Sequence, residues 1–579
     1  MKLTDTRRLT GPSLLLNGPG AIAAVEAEDP APLAEAWRQR LGALCEAVGW
    51  GPVRTAERIH PGGASLAFRA PLDALYAATE INETAIAQAV VDLGGDPSEA
   101  LGDVGRAHTL AELRASIADE RNPALVALAE AADAHGAPFL WDDDEATVGL
   151  GVHARTWPVA ALPAPENVDW EAARAVPAAL VTGTNGKSTT ARMLAAILRA
   201  WGATPGLTST DGVVIGGETV ASGDYSGPGG ARTALRDRRV TAAVLEVARG
   251  GILRRGLGLD RATAAAVTNV AEDHLGDYGI TTVEGLARVK FVVAKALGAG
   301  GTLVTNWDDP HCRREGQRAR RPLAARGARV LWTGLAPGVL PDGPAVSAVD
   351  GWIVRRDGHA GGDGSAPEAS GEWVRVVEVA AVPAARGGAA RYNVRNALTA
   401  TGLARAMGVS DGAIADGLRA FVSDAETNPG RGNVFRVNGA TAWVDFAHNA
   451  HSLAALTETV GALPAARRLV LLSHAGDRTD REIRAVGAGV AGMGAERYVV
   501  ADLPDYLRGR APGEVPGLLR GALLDAGAAP EAIAEAADPA SGVRDALAWA
   551  RPGDVLLLLV LSRRDDALAA IREAGGREA

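Results

Sequence analysis

A group of residue types suited to holding a phosphate occurs at residues 182–189, which read Thr-Gly-Thr-Asn-Gly-Lys-Ser-Thr. Gly183 and Gly186 permit backbone conformations in which successive N–H groups point at one anion. Lys187 would neutralise the outer phosphates of a nucleotide, and one of the two hydroxyl residues after it would place an oxygen on Mg²⁺. The segment therefore predicts a site for ATP and Mg²⁺.

The flanking sequence places this loop between a strand and a helix. Residues 178–181 are apolar, and apolar residues at helical spacing follow at 194, 197, 198 and 201. A helix N-terminus adds partial positive charge to such a loop. The strict G-x-x-x-x-G-K-[ST] pattern fails, because Val181 stands where the first glycine would be. Only four of the 59 basic residues are lysine, so the presence of Lys187 favours a phosphate role over a simple turn.

Three later segments share one form, in which an apolar strand is followed at once by polar residues. In a parallel sheet with right-handed crossovers, the carboxyl ends of the strands lie along one edge, where ligands bind. Carboxylates and an imidazole there suit Mg²⁺ held between ATP oxygens and a substrate carboxylate. The polar residues in these segments are Glu246, Asn269, Asp273, His274, Asn306, Asp308 and Asp309.

The length of 579 residues and the pattern of elements predict three domains in an α/β protein. Residues 1–172 are expected to form an N-terminal α/β domain for substrate binding or assembly. Residues 173–428 are expected to form a central ATP-binding domain with a P-loop parallel sheet, and a β-hairpin insertion is predicted near 335–390, with a glycine-rich tip at 357–371. Residues 429–579 are expected to form a C-terminal Rossmann-like α/β domain.

Bulk properties exclude several classes of protein. A formal net charge of −10 argues against non-specific nucleic-acid binding, which needs a basic face. Cys45 and Cys312 lie far apart and outside any metal-binding pattern, so neither a disulfide scaffold nor a zinc ribbon is expected. The longest apolar run, at 555–561, is too short to cross a membrane. We therefore expect a cytoplasmic protein without nucleic-acid or membrane partners.

Taken together, the polar motifs resemble those of the Mur ligase superfamily, which includes peptidoglycan-precursor ligases and folylpolyglutamate synthetases. The Val181 departure from the Walker pattern is normal for that superfamily. Tyr392 and Phe446 stand where many members carry His and Tyr, and both keep an aromatic ring near the expected nucleotide. The resembling segments are residues 182–189, 269–275, 306–309, 393–396, 429–431, 445–449 and 476–478.

Within the superfamily, the segments 226–228, 246–254 and 508–510 are similar to the Mur-like half of cyanophycin synthetase, and 7–12 resembles the start of its N-terminal domain. That family carries an ATP-grasp domain between the two parts, which alone would need roughly 200 residues. Only 180 residues precede Val181. The resemblance therefore implies a chain without the ATP-grasp domain and with one ligase site.

The resemblance implies that ATP phosphorylates a carboxylate and that an amine then attacks the acyl phosphate. It assigns catalysis to Lys187, Glu246, His274, Lys290 and Arg431. It assigns nucleotide binding to Thr184, Asn185, Gly186, Lys187, Ser188, Thr189, Asn306, Asn393, Asn396, Arg431 and Asp445. It assigns the metal to Ser188, Glu246 and His274, and the substrate to Arg249, His448 and Arg478.

Several alternatives stay open at this point. Lys290 is either carbamylated, a cation beside the phosphates, or a surface lysine. The chain is either cyanophycin synthetase-like, another Mur-type ligase that acts on a peptidoglycan precursor or adds glutamate, or a non-catalytic nucleotide-binding protein descended from one. The expected substrates are an amino acid and an acidic amino acid or short acidic peptide, and the expected assembly is a homo-oligomer, either dimer or tetramer.

Overall fold

The computed structural model describes residues 1–358 and 371–579. The predicted glycine-rich tip at 357–371 falls largely outside these residues. Among the described residues, no helix combines the length and the apolar character needed to cross a bilayer.

The N-terminal region combines helices with two antiparallel sheets, in contrast to the parallel units of the rest of the described chain. One sheet has the strand order β1-β2-β4-β3 and the other β5-β6-β7. The core under the larger sheet contains Trp37, whose indole N–H donates to Asn82 Oδ1 at 2.7 Å. The elements are β1 (Lys2–Leu9), β2 (Gly20–Glu26), α1 (Pro30–Ala47), β3 (Thr55–His60), β4 (Gly63–Arg69), α2 (Leu75–Asp92), α3 (Pro97–Leu101), α4 (Leu110–Glu120), α5 (Pro123–Ala134), β5 (Phe139–Trp141), β6 (Glu145–Val148) and β7 (Arg155–Pro158).

The central region is one large sheet with helices on both faces. Its elements are β8 (Ala178–Thr182), α6 (Lys187–Ala200), β9 (Pro205–Ser209), β10 (Gly212–Ile215), β11 (Glu218–Ser222), α7 (Pro228–Arg236), β12 (Ala242–Glu246), α8 (Arg249–Arg255), β13 (Ala262–Val267), α9 (Val283–Lys290), β14 (Leu297–Asn306), α10 (Pro310–Ala324), β15 (Arg329–Gly334), β16 (Ala345–Val349), β17 (Trp352–Arg356), β18 (Val374–Glu378), α11 (Arg391–Ala406) and α12 (Asp411–Ala420).

The described strands of this sheet follow the order β11-β10-β9-β12-β8-β13-β14-β15-β16-β17-β18. The neighbouring strands β9, β12, β8, β13, β14, β15 and β16 run parallel to one another. Antiparallel strands extend the sheet at both edges, with β10 and β11 at one and β17 and β18 at the other. Strands β17 and β18 pair as a hairpin around residues 359–370, which are not described. Parallel strands buried on both faces need continuous apolar sequence, and β8 and β12 are buried at every residue.

The C-terminal region is a second parallel sheet with helices on both faces, in the order β23-β22-β21-β24-β20-β19-β25. Strands β19 and β25 are antiparallel to their neighbours. Its elements are β19 (Arg431–Val437), β20 (Ala440–Asp445), α13 (Ala450–Gly461), β21 (Arg468–Leu472), α14 (Asp480–Ala491), β22 (Arg497–Ala501), α15 (Glu514–Asp525), β23 (Ile533–Ala536), α16 (Pro539–Trp549), β24 (Val555–Leu559), α17 (Arg564–Glu573) and β25 (Arg577–Glu578).

Strands β12, β8, β13 and β14 are consecutive neighbours in the central sheet. All four are parallel, so their carboxyl ends lie along one edge, as the sequence predicts. That edge carries the glycine loop after β8, Glu246 at the end of β12, the segment after β13 and Asn306 at the end of β14.

Candidate active site

The loop after β8 requires glycine at two positions. Gly183 and Gly186 have φ values of +154° and +80°, which side-chain-bearing residues rarely adopt. Space excludes a side chain as well. A Cβ at Gly183 would lie 1.9 Å from Thr268 Oγ1, and one at Gly186 would lie 2.3 Å from Asn396 Oδ1. Helix α6 begins directly after Gly186, so its free N–H groups point toward the loop.

The segment after β13 fixes the shape of this loop. The Asn185 N–H donates to Asn269 Oδ1 at 2.9 Å, and the Asn269 amide donates back to the Asn185 carbonyl at 2.9 Å. The Thr268 hydroxyl donates to the same carbonyl at 2.6 Å. The loop is therefore held in one conformation before any ligand arrives, which lowers the entropic cost of binding a phosphate.

Two lysine amines converge on carbonyls of the loop. Lys187 Nζ donates to the Thr184 carbonyl at 3.0 Å, and Lys290 Nζ donates to the Gly183 carbonyl at 2.8 Å. Lys290 is only 4% exposed. Burial, and next the nearby Lys187 charge, lower the pKa of Lys290 to about 7. The site therefore places two amines where an anion would bind, and the neutral form of one of them is accessible at physiological pH.

Glu246 is a buried carboxylate, 2% exposed. Within the described part of the chain, neither of its carboxylate oxygens has a hydrogen-bond partner. A buried charge without a partner is costly unless a counter-ion binds. Glu246 and the Ser188 hydroxyl line the same cavity as the loop. These hard oxygen donors fit Mg²⁺.

The described residues contain no cluster of three or more His, Cys, Asp or Glu side chains able to form a metal cage by themselves. At nucleotide sites Mg²⁺ usually binds through one or two protein oxygens together with phosphates and waters. Glu246 and Ser188 are donors of that kind.

His274 lies on the segment after β13 in a left-handed backbone conformation, with φ of 51°. Its Nε2 lies 2.5 Å from an Nη atom of Arg478, in the C-terminal region. Burial lowers the pKa of His274 to about 4, and the nearby Arg478 and Arg249 charges act in the same direction. The imidazole is therefore neutral at physiological pH. Because Nε2 faces a guanidinium here, the metal-binding role of His274 stays a prediction.

A cavity of about 790 Å³ lies between the central and C-terminal regions. A smaller cavity of about 100 Å³ adjoins it and is lined by His448 and Arg478. Of the predicted site residues, all except Arg478 line the larger cavity. They are Thr184, Asn185, Gly186, Lys187, Ser188, Thr189, Glu246, Arg249, His274, Lys290, Asn306, Asn393, Asn396, Arg431, Asp445 and His448.

Three asparagines predicted to bind nucleotide already form hydrogen bonds within the protein. Asn306 donates to the Thr268 carbonyl at 3.1 Å. Asn393 donates to the Ala384 carbonyl at 2.9 Å, and its own oxygen accepts from Asn396 at 3.1 Å. These amides fix the cavity wall, and direct contact between Asn393 or Asn396 and adenine stays a prediction.

The C-terminal region supplies an arginine and a carboxylate to the cavity. Arg431 begins β19, donates to Thr210 Oγ1 at 3.2 Å and lies 5.5 Å from the Phe446 ring centre. Asp445 ends β20, and burial raises its pKa to about 6, although Arg431 opposes that shift. Both residues line the cavity together with the glycine loop.

Sequence reasoning missed the contact that joins the loop to the C-terminal region. Asn185 Nδ2 donates to Asn449 Oδ1 at 3.1 Å, and Asn449 Nδ2 donates back to Asn185 Oδ1 at 3.0 Å. His451 Nδ1 lies 3.0 Å from the same Asn185 nitrogen. Asn449 was visible in the 445–449 motif, but only the fold shows that it faces the loop.

A second missed contact is an ionic cluster around Asp211, in the turn between β9 and β10. Its carboxylate accepts hydrogen bonds from Arg192 on α6 at 2.8 Å and from Arg564 on α17 at 2.7 Å. Arg431 Nη2 lies 3.6 Å from Asp211 Oδ2. Burial alone would raise the pKa of Asp211, but the three arginines lower it below its usual value. No motif marks Asp211 in the sequence.

Comparison with known protein families agrees with this architecture. The Mur ligase middle domain matches residues 181–329, and the Mur ligase glutamate ligase domain matches residues 430–559. The chain thus contains two Mur ligase domains, a middle domain and a glutamate ligase domain. The glycine loop and Glu246 lie in the matched middle domain, and Asp445 and Asn449 lie in the matched glutamate ligase domain.

Several curated relatives cover the two Mur ligase domains. Cyanophycin synthetase of Synechocystis sp. is 37% identical over 363 residues, which are 62% of this chain and 40% of the relative. Cyanophycin synthetase of Crocosphaera subtropica is 39% identical over 60% of this chain and 38% of the relative. The chain thus spans about 40% of the length of these relatives. The UDP-N-acetylmuramoyl-L-alanyl-D-glutamate–2,6-diaminopimelate ligase of Geobacter metallireducens is 28% identical over 66% of this chain and 73% of the relative.

Solved structures of similar shape include E. coli FolC in complex with DHPP and ADP. It is 22% identical, with a TM-score of 0.49, over 69% of this chain and 89% of FolC. A bifunctional folylpolyglutamate synthase/dihydrofolate synthase with Mn, AMPPNP and L-glutamate bound is 20% identical, with a TM-score of 0.48, over 68% of this chain and 89% of that protein.

We expect the ionic cluster around Asp211 to help hold the two Mur ligase domains together. Asp211→Asn leaves three arginines facing each other without their shared counter-charge. We expect the domains to separate more often and the KM for ATP to rise about 10-fold, a loss well below that of a fully buried pair because Asp211 is partly exposed. Small-angle scattering should show a larger radius of gyration for the variant.

Asp237→Asn is the matched control, because Asp237 pairs with Arg239 on the surface of the same domain. Its scattering curve and KM should equal those of the unchanged protein. An Asp211→Asn protein with the original radius of gyration and KM would show that the cluster does not hold the domains together.

Proposed function

We propose that this chain is an ATP-dependent carboxylate–amine ligase that forms an amide bond through an acyl phosphate. The observation that carries the proposal is the meeting of the glycine loop, Lys187 and Glu246 at one cavity between the two Mur ligase domains, where the Glu246 carboxylate has no hydrogen-bond partner among the described residues. The names of the relatives support it, since cyanophycin synthetases and a diaminopimelate ligase are among them.

The central difficulty of the reaction is electrostatic, because a carboxylate and a phosphate must approach each other although both are anions. Bound ATP with Mg²⁺ supplies the phosphoryl group and part of the charge neutralisation. The remainder falls to Lys187 at the glycine loop and to Arg431 from the C-terminal region. Fixed charges in a site of low dielectric stabilise the developing negative charge without reorganising, which is usually a large contribution to catalysis.

The smaller cavity has the character expected of a site for a zwitterionic amine. Glu272, Asp273, Arg478 and Arg481 line it, and Arg481 pairs with Glu272. An amino acid would bring an ammonium for Asp273 and a carboxylate for Arg478. His448 lines both cavities, so an amine bound there would lie next to the phosphate site.

The larger cavity offers basic groups to an acidic partner, since Arg249, Arg254 and Arg395 line it in addition to the lysines, beside acidic residues such as Asp224 and Asp308. We therefore propose that the electrophile is the carboxylate of an acidic amino acid or a short acidic peptide, and that the amine is an amino acid. A cytoplasmic location and a homo-oligomeric assembly stay predictions.

The test is phosphate release from Mg²⁺ and ATP across a matrix of amino acids and short acidic peptides, with mass spectrometry of the products. We expect release to require one acid and one amine together, and a product lighter by one water than their sum. ATP binding without turnover under every combination would instead favour a nucleotide-binding protein descended from a ligase. Activity confined to peptidoglycan precursors or folates would favour another Mur-type ligase.

Lys290 carries a separate prediction about carbamylation. A neutral amine is the form that reacts with carbon dioxide, and a pKa near 7 makes that form available. The neutral fraction falls as the pH drops below about 7, so a carbamate would be lost in the same direction. We expect Lys290→Ala to lower turnover about 100-fold, the scale of one lost charge-stabilising group, and short carboxylic acids to restore part of it.

Lys295→Ala is the matched control, since Lys295 donates to the Ser13 carbonyl at 2.7 Å, away from the loop. It should keep its turnover with or without added acid. Loss without rescue in Lys290→Ala would indicate a cationic role instead, and unchanged activity would remove Lys290 from the site.

A further inference from the structure

The segment that carries His274 has an unusual backbone. His274 and Tyr278 have φ values of 51° and 53°, although neither is a glycine, and Gly276 and Gly279 lie at 105° and 67°. The left-handed conformation costs a side-chain-bearing residue roughly 1 kcal/mol or more, so surrounding structure must hold it. The contacts that hold residues 274–279, here called the His274 loop, therefore decide where His274 lies.

Several of those contacts come from the N-terminal region, outside both matched Mur ligase domains. Arg58 on β3 donates to the Gly279 carbonyl at 2.8 Å and to the Tyr278 carbonyl. Its guanidinium is anchored in turn by the Ser65 hydroxyl on β4, at 3.0 Å. One planar group thus binds two successive carbonyls with donors held in a fixed geometry, which the flexible side chain of lysine lacks.

Arg7 on β1 holds the same loop by its side chain. Its guanidinium carbon lies 4.6 Å from the centre of the Tyr278 ring, and only 9% of the residue is exposed. A cation over an aromatic face is worth more when it is desolvated, as here. Packing adds to this, because a Cβ at Gly279 would lie 2.3 Å from His60 Nε2.

The N-terminal region also holds α8, which carries Arg249. Arg7 Nε donates to the Leu253 carbonyl at 3.1 Å, and the Thr10 N–H donates to the Arg255 carbonyl at 2.9 Å. At the other end of α8, Arg249 donates to the His274 carbonyl and to Asp277. The His274 loop and α8 both face the cavity, and contacts with the N-terminal sheet therefore hold them in fixed relative positions.

We propose that the N-terminal region positions the active site, with Arg58 as the positioning residue that holds the His274 loop in its productive conformation. The consequence for catalysis rests on the proposed function, whereas the loop contact itself does not. The contacts reach the loop and α8, and neither Arg58 nor Arg7 lines the nucleotide cavity. Loss of Arg58 should therefore affect the chemical step more than the binding of ATP.

The experiment compares Arg58→Ala, Arg58→Lys and the unchanged protein in two measurements. Hydrogen exchange followed by mass spectrometry should show faster exchange at residues 274–280 in Arg58→Ala and an intermediate rate in Arg58→Lys. Phosphate release should show a kcat lowered about 10-fold in Arg58→Ala, the scale of a small misplacement of a catalytic group, with a KM for ATP changed less than about 2-fold.

Arg40→Ala is the matched control, since Arg40 pairs with Asp92 on the surface of the same N-terminal region. It should exchange and turn over like the unchanged protein. If Arg58→Ala does not fold, Arg58→Lys carries the test with a kcat lowered about 3-fold and faster loop exchange, because lysine retains the charge but not the planar arrangement of donors.

The outcomes separate the two proposals. If the unchanged protein releases no phosphate with any pair of acid and amine, the proposed function is contradicted. Hydrogen exchange in the His274 loop would still test the Arg58 contact. An active protein whose Arg58 variants keep the original kcat and the original exchange at residues 274–280 would overturn the positioning role. Equal loss of kcat and of thermal stability in Arg58→Ala and Arg40→Ala would also overturn it, because that result indicates general destabilisation.

Discussion

Replacing Lys187 with alanine should lower ATP turnover by at least about 100-fold while leaving the fold intact. Lys187 is the cation at the start of α6 that faces the glycine loop, and its Nζ contacts the Thr184 carbonyl. Losing that hydrogen bond costs about 1 kcal/mol of stability, which a chain of this size tolerates. Losing the charge leaves the outer phosphates without a fixed partner during transfer.

The measurement is phosphate release together with thermal unfolding of each protein. Lys2→Ala is the matched control, because Lys2 is exposed at the edge of the N-terminal sheet, and it should be unchanged in both. A Lys187→Ala protein that turns over ATP at the original rate would remove the glycine loop from the active site.

Glu246→Gln should lower turnover to a similar extent, by at least about 100-fold. The substitution keeps the size of the side chain and removes one negative charge. In the described residues the carboxylate makes no hydrogen bond that the amide would lose. The melting temperature of the ligand-free protein should therefore not fall, since the variant removes a buried charge.

The same variant should separate metal binding from folding. A ligand that binds only the native state raises the melting temperature, so Mg²⁺ with a non-hydrolysable ATP analogue should stabilise the unchanged protein. In Glu246→Gln the increment due to Mg²⁺ should be lost. Glu218→Gln, on the exposed strand β11, is the control and should keep the full increment. A full Mg²⁺ increment in Glu246→Gln would show that this carboxylate does not hold the metal.

The parts of the site that could be read from the sequence are those set by local chemistry. The glycine loop can be recognised in the sequence because the backbone geometry at Gly183 and Gly186 requires glycine. Glu246 and Asn306 could be placed on one edge because the carboxyl ends of parallel strands converge there, whatever the details of packing.

The remainder depends on how separate domains dock. Asp211 meets Arg564 across 353 positions of sequence, and Asn185 meets Asn449 across 264. No periodicity or spacing encodes such a pairing. The N-terminal region was expected to be an α/β domain, and the antiparallel pairing of its described strands could not be predicted, because short β-rich segments do not reveal their partners. The contact of Arg58 with the His274 loop followed from that docking alone.

The scarcity of lysine makes this protein an unusually simple target for amine-acylating reagents. Lys290 is buried and Lys295 is partly buried against the N-terminal segment, while Lys2 is exposed. Lys187 opens onto the cavity, where a nucleotide would cover it. Acylation of the native protein should therefore mark few amines. The mass of the intact chain, with and without nucleotide, would then report occupancy of the active site directly, without a labelled ligand.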